Sequence, residues 1–140
     1  MYRCLIVADD LTGANASGVL LKTFGLSPLT LTGDLPPPLA VRAGRDVLIA
    51  PTDSRAVAPA VAYQRVRDAT TALAAPEVRL YTKRIASTLR GNVGPEIDAM
   101  LDALAAVEDS DRLAVVVPAY PQAGRVAVGG YLLVNGILLQ

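Results

Sequence analysis

The sequence contains no histidine, no tryptophan and a single cysteine. Without histidine the chain can build neither a Ser-His-Asp triad nor a histidine zinc site, and it has no imidazole acid–base chemistry. Any chemistry falls to Asp, Glu, Lys, Arg, Ser, Thr, Tyr or the backbone. Cys4 alone cannot close an internal disulfide, which fits a reducing, cytoplasmic location. Aromatic residues are 4% of the chain, too few for a base-stacking surface. Thirteen acidic residues cancel thirteen basic ones. The basic excess that draws nucleic acid or an anionic membrane is therefore missing. No apolar stretch approaches the ~18 residues of a spanning helix. The short apolar run after Arg3 is cut by Asp9 and Asp10, so no signal peptide is expected.

What is present is a core. Hydrophobic residues are 52% and charged residues 19%, a balance that folds rather than stays disordered. The length of 140 residues suits one domain. The apolar run from Tyr2 to Ala8 reads as a buried parallel strand. Ala16, Val19, Leu20 and Thr23 follow Thr12 at helical spacing, and Gly25 stops them. Further strands are expected at 26–31, 45–50, 78–83 and 113–117. Helices are expected at 56–74 and from Pro95 onward, with Ile97, Met100, Leu101 and Leu104 as an apolar stripe. Pro36-Pro37-Pro38 reads as a loop, and 126–128 with 131–134 as a hairpin. Strands alternating with helices predict an α/β fold: a mostly parallel, Rossmann-like sheet in three layers, helices on both faces, and a β-rich C-terminal tail.

In such sheets ligands bind beyond the carboxyl ends of the strands. That rule selects Asp9-Asp10, then Thr52 to Arg55, Ser87 to Asn92, and Pro118 to Arg125. Asp9 or Asp10 can orient a hydroxyl, accept its proton or hold a magnesium ion, or else cap the next helix or close a turn. The run Ser87-Thr88-Leu89-Arg90-Gly91-Asn92 brings hydroxyls, a guanidinium and a glycine to an oncoming helix N-terminus, the makings of an anion site. Lys83 and Arg84 add positive charge, and strand alternation lets only one of them face the site. Arg55 is a second clamp, otherwise paired with Asp53 or solvated. Arg125 is a third, with a structural role weighed more heavily. Cys4 and the tyrosines read as packing residues. No P-loop and no G-x-G-x-x-G turn is present, and no metal site is assigned to this chain.

The segments LIVADDLTGANASGV, PTDSRA, YTKRIASTLRGNVGPEIDAML and VVVPAYPQAGRVAVGGYLLVNGILL, in this order, resemble the N-terminal domain of the four-carbon acid sugar kinases. The resemblance implies an ATP-dependent, two-domain enzyme acting on acids such as threonate and erythronate. Its N-terminal domain binds the acid. A C-terminal domain, not contained in residues 1–140, holds most of the ATP and Mg2+ site. It carries substrate contact onto Asp10, with Asp9 beside it, onto Arg55, and onto the segment around Ser87, Thr88 and Arg90. Together with the rim above, the expected acid-binding set is Asp10, Arg55, Lys83, Ser87, Thr88, Leu89, Arg90, Gly91 and Asn92, with Asp10 and Asp9 as catalytic candidates. Ala86 departs from the family, which shows an aspartate before S-T-L-R-G-N. The alternatives are a truncated or decayed acid-binding module without catalysis, and a purely structural oligomerisation domain. The apolar end at 137–139 is expected to meet the C-terminal domain or another copy of the chain.

Overall fold

The structure, a computed structural model, describes residues 2–108 and 112–139. Cys4–Ala8 (β1) is apolar throughout because both its faces are covered. It pairs in parallel with Val47–Pro51 (β3) on one side and Leu80–Arg84 (β4) on the other. Pro28–Thr30 (β2) pairs in parallel with β3, giving the order β2-β3-β1-β4.

Alternation along β1 and β3 divides the core in two. Leu5, Val7, Leu48 and Ala50 face one side. There they pack with Val66, Ala69 and Leu73 of Pro59–Leu73 (α3) and with Ala99, Met100 and Leu104 of Val93–Glu108 (α4). Ile6, Ala8, Val47 and Ile49 face the other, against Ala14 and Leu21 of Leu11–Thr23 (α1). Gly18, buried on α1, faces Ile49 and Thr30 of the sheet. Leu39–Arg42 (α2), a single turn after the prolines, was not foreseen because it has too few residues to show a period.

The parallel sheet, its three-layer packing and the flanking helices agree with expectation. One strand does not. The segment 113–117 forms no strand, and Leu113, Val115 and Val117 are exposed. It runs beside β4 and α4 across a cavity of about 610 Å³ instead of pairing with the β4 edge. A short apolar run reports only that a segment seeks cover. Nothing in its pattern specifies a pairing partner.

The tail is an antiparallel meander. A 3-10 turn at Pro121–Ala123 leads into Arg125–Val128 (β5), Tyr131–Val134 (β6) and Ile137–Leu138 (β7). Its two tight turns use Gly129-Gly130 and Asn135-Gly136, all at positive φ, as type I′ hairpins require.

Leu48 is fully buried in the larger core, and Val19 on α1 is 69% exposed. Leu48→Ala should cost ~2–5 kcal/mol in urea unfolding, and Val19→Ala no more than ~0.5 kcal/mol. Equal costs would contradict the assigned core.

Candidate functional site

The chain leaves β1 for a helix on one face of the sheet, and leaves β3 and β4 for helices on the other. Over the carboxyl ends of these three adjacent strands a crevice must open. Three loops fill its rim.

The first is Asp9-Asp10. Asp10 is the N-cap of α1, its Oδ1 accepting from the Gly13 amide at 2.7 Å. Asp9 is 2% exposed and needs a partner to remain buried as an anion. That partner is Arg55. Its Nε donates to Asp9 Oδ2 at 2.7 Å, one terminal nitrogen donates to Asp9 Oδ1 at 3.0 Å, and the other reaches Asp10 Oδ2. The hydrogen bond to Asp9 is the main reason the Arg55 guanidinium is held above its ordinary pKa, against the opposing effect of burial.

The second loop, Thr52 to Arg55, is zipped onto the end of β1. Thr52 Oγ1 donates to Ala8 O at 2.9 Å, and the Ser54 amide donates to Asp9 O at 3.0 Å. Arg65 of α3 donates to Asp53 O at 2.6 Å, bracing a residue at φ 50°.

The third loop, Ile85 to Asn92, lies over the second. Asn92 Nδ2 donates to Ser54 O and to Val57 O, each at 2.9 Å. Gly91, at φ 92°, packs so tightly that a Cβ would fall 2.9 Å from Arg55 Cγ. Leu89 also has positive φ, 54°, in the turn closed by its amide on Ala86 O. Non-glycine residues at positive φ in two neighbouring rim loops are the kind of backbone strain that gathers at ligand sites.

Between these loops is a hollow of about 660 Å³. Asp10, Arg55, Ser87, Thr88 and Arg90 all line it, so five of the expected residues converge. Arg84 and Arg125 also line it, as does Thr12 of the first turn of α1. Arg84 could be read only as one of two alternatives, and Thr12 only as a helix start. Arg90 Nε donates to Thr88 Oγ1 at 3.1 Å.

Other expected residues stand elsewhere. Asp9 lies behind Arg55 and positions it. Gly91 and Asn92 hold the loop that carries Arg55. The Leu89 side chain is exposed and does not line the hollow. Lys83, expected at the substrate, lies on the other cavity, because alternation along β4 sends Arg84 to the hollow instead. Its Nζ is 2.8 Å from Glu96 Oε2, with side chains 6% and 1% exposed. Burial pushes the Lys83 ammonium below the usual lysine range despite the opposing pull of Glu96.

This arrangement defines a class: an α/β domain whose parallel sheet ends in a crevice lined by guanidiniums, hydroxyls and a carboxylate. The family described as a sugar-binding N-terminal domain matches residues 4–140, and the chain belongs to it. Its relatives include a D-erythronate kinase of Heliobacterium modesticaldum, 54% identical over 100% of this chain and 31% of the relative. A D-threonate kinase of Salmonella typhimurium is 36% identical over 98% of this chain and 31% of the relative. The chain thus spans about a third of the length of the curated relatives it matches. A solved Bordetella bronchiseptica domain of unknown function, a domain-swapped dimer with bound citrate, superposes with a TM-score of 0.86 at 36% identity. That match covers 99% of this chain and 35% of that one.

Removing one partner of the buried pair should expose its cost. Lys83→Met leaves Glu96 uncompensated and should lose ~3–5 kcal/mol in denaturant unfolding. The double change Lys83→Met with Glu96→Leu should recover most of that loss. No recovery would show that the two side chains are not coupled.

Proposed function

We propose that this chain is the acid-binding domain of a cytoplasmic, ATP-dependent kinase for four-carbon acid sugars of the threonate and erythronate type. The observation that carries this reading is the convergence of Asp10, Arg55, Ser87, Thr88 and Arg90 on one hollow. Arg55 and Arg90 hold the carboxylate of the acid. Arg55 keeps guanidinium hydrogens free for a guest after its bonds to Asp9 and Asp10. Ser87 and Thr88 offer hydroxyls that both donate and accept, matching a polyol. Asp10 orients the reacting hydroxyl and accepts its proton, with Arg55 and the Gly13 amide fixing where that carboxylate sits. Phosphoryl transfer depends chiefly on positioning and charge stabilisation, and positioning is what these loops supply. The kinase names of the relatives and the citrate bound by the Bordetella domain agree with a compact hydroxy acid as guest.

The residues present do not fit a magnesium site. Both rim aspartates are engaged by Arg55. Among the described residues no group of three or more Asp, Glu, Cys or His side chains gathers. On this reading the nucleotide and its metal belong to the two thirds of the relatives' length that this chain does not span.

A second reading, an acid-binding module without catalysis, is favoured by Ala86. It lines the hollow at 6% exposure and offers no acceptor to a substrate hydroxyl.

Titration calorimetry with D-erythronate and D-threonate should show binding, and Arg55→Ala should weaken it at least about tenfold. No heat from any four-carbon hydroxy acid would contradict the proposal. Phosphate transfer from ATP by this chain alone would overturn the division between domains. Ala86→Asp should tighten binding of the singly charged acids by restoring an acceptor. An unchanged or weaker affinity would show that Ala86 is not a lesion.

A further inference from the structure

Four guanidiniums line the hollow, those of Arg55, Arg84, Arg90 and Arg125, against one carboxylate, that of Asp10. This leaves an excess of three positive charges at its wall. Asp9, buried behind Arg55, reduces the excess to two. Among the described residues Arg84, Arg90 and Arg125 form no ion pair. A singly charged acid would leave the hollow positive, whereas a doubly charged guest cancels it. We infer that the hollow takes a short hydroxy acid bearing a second anionic group, and that Arg125 reads that group. The inference rests on the hollow being the acid site.

Arg125 is built into place. Its carbonyl accepts from the Tyr120 amide at 2.8 Å, and its own amide donates to Tyr120 O at 3.1 Å. The preceding residue, Gly124, has φ 70°, a conformation a side chain strains, and a Cβ there would push the Asn135 side-chain amide aside. The Asn135 amide closes the meander on Gly124 O at 2.7 Å. Arg125 Nε is buried with no hydrogen-bond partner in the protein. A buried donor without an acceptor is costly, so a guest oxygen that draws this side chain toward the hollow would relieve it. Arg84 approaches from the opposite element. A Cβ on Gly13 would stand 3.5 Å from Arg84 Cγ, so this arginine lies on the first turn of α1, whose dipole also favours an anion. The second group is either a phosphoryl ester, the product side of the proposed reaction, or another carboxylate. Both present oxygens that a planar guanidinium grips with paired hydrogen bonds.

Calorimetric titration of the full chain with D-erythronate, its 4-phosphate, tartrate and inorganic phosphate separates the cases. The account expects the phosphate ester, tartrate or both to bind at least about tenfold tighter than erythronate. Tighter binding of the ester alone assigns the phosphoryl source, and of tartrate alone the carboxylate source. Arg125→Gln should cost the tighter ligand about tenfold more than it costs erythronate. Gly124→Ala, which displaces Arg125 without removing its charge, should lower the same ratio. Erythronate bound as tightly as the doubly charged acids would overturn the inference and leave the acid site standing. So would inorganic phosphate matching the ester, or an equal loss for every ligand in Arg125→Gln. Failure of every organic acid to bind would sink the acid site itself.

Discussion

A carboxylate at the end of the central strand, 3% exposed, has to be neutralised, and the side chain that neutralises it comes from a loop more than forty residues later. The fork of Arg55 on Asp9 and Asp10 therefore does two things. It closes the loop after β3 onto the end of β1, and it sets a guanidinium at the floor of the crevice with hydrogens to spare. Much of the rest of the rim serves that placement. Asn92 holds the carbonyls on either side of Arg55, Gly91 yields the space its stem occupies, and Arg65 braces Asp53. The hollow exists because these loops are fastened to one another rather than to solvent.

Sheet order turns this local clasp into a site. Because β1 lies between β3 and β4, the loops after all three strands are neighbours. Because their helices leave for opposite faces, no helix covers the crevice between them. The antiparallel meander, which belongs to a different sheet, brings Arg125 to the same wall. Positive charge thus comes from two loops, the end of β4 and the tail, while negative charge comes from the β1 end alone.

The four parallel strands and the main helices were legible because burial on two faces leaves apolar runs, and burial on one face leaves a helical period. The five residues that share the hollow were legible for a related reason: each follows an apolar run, and a parallel sheet aligns such ends. Lys83 and Arg84 mark the limit. Alternation told that one faces the hollow, and only the register of β4 beside β1 decides that it is Arg84. Asn92 and Gly91 were read as ligand groups because an exposed amide and a glycine near an arginine look alike whether they meet a guest or a neighbouring loop. The segment 113–117 misled for the opposite reason. Its apolarity is real, but pairing needs an aligned edge, and no local pattern encodes one. The pair Lys83–Glu96 was missed because its members are thirteen positions apart on a strand and a helix, a separation with no periodic signature.

The central claim is that Arg55, held by Asp9 and Asp10, forms the floor of an anion site. A crystal structure of the chain soaked with D-erythronate tests it most directly. The account predicts the acid's carboxylate within hydrogen-bond distance of Arg55 while both aspartate contacts persist. Density for the acid in the cavity between β4 and α4, or Arg55 swung away from Asp9 with the hollow filled by protein, would contradict it.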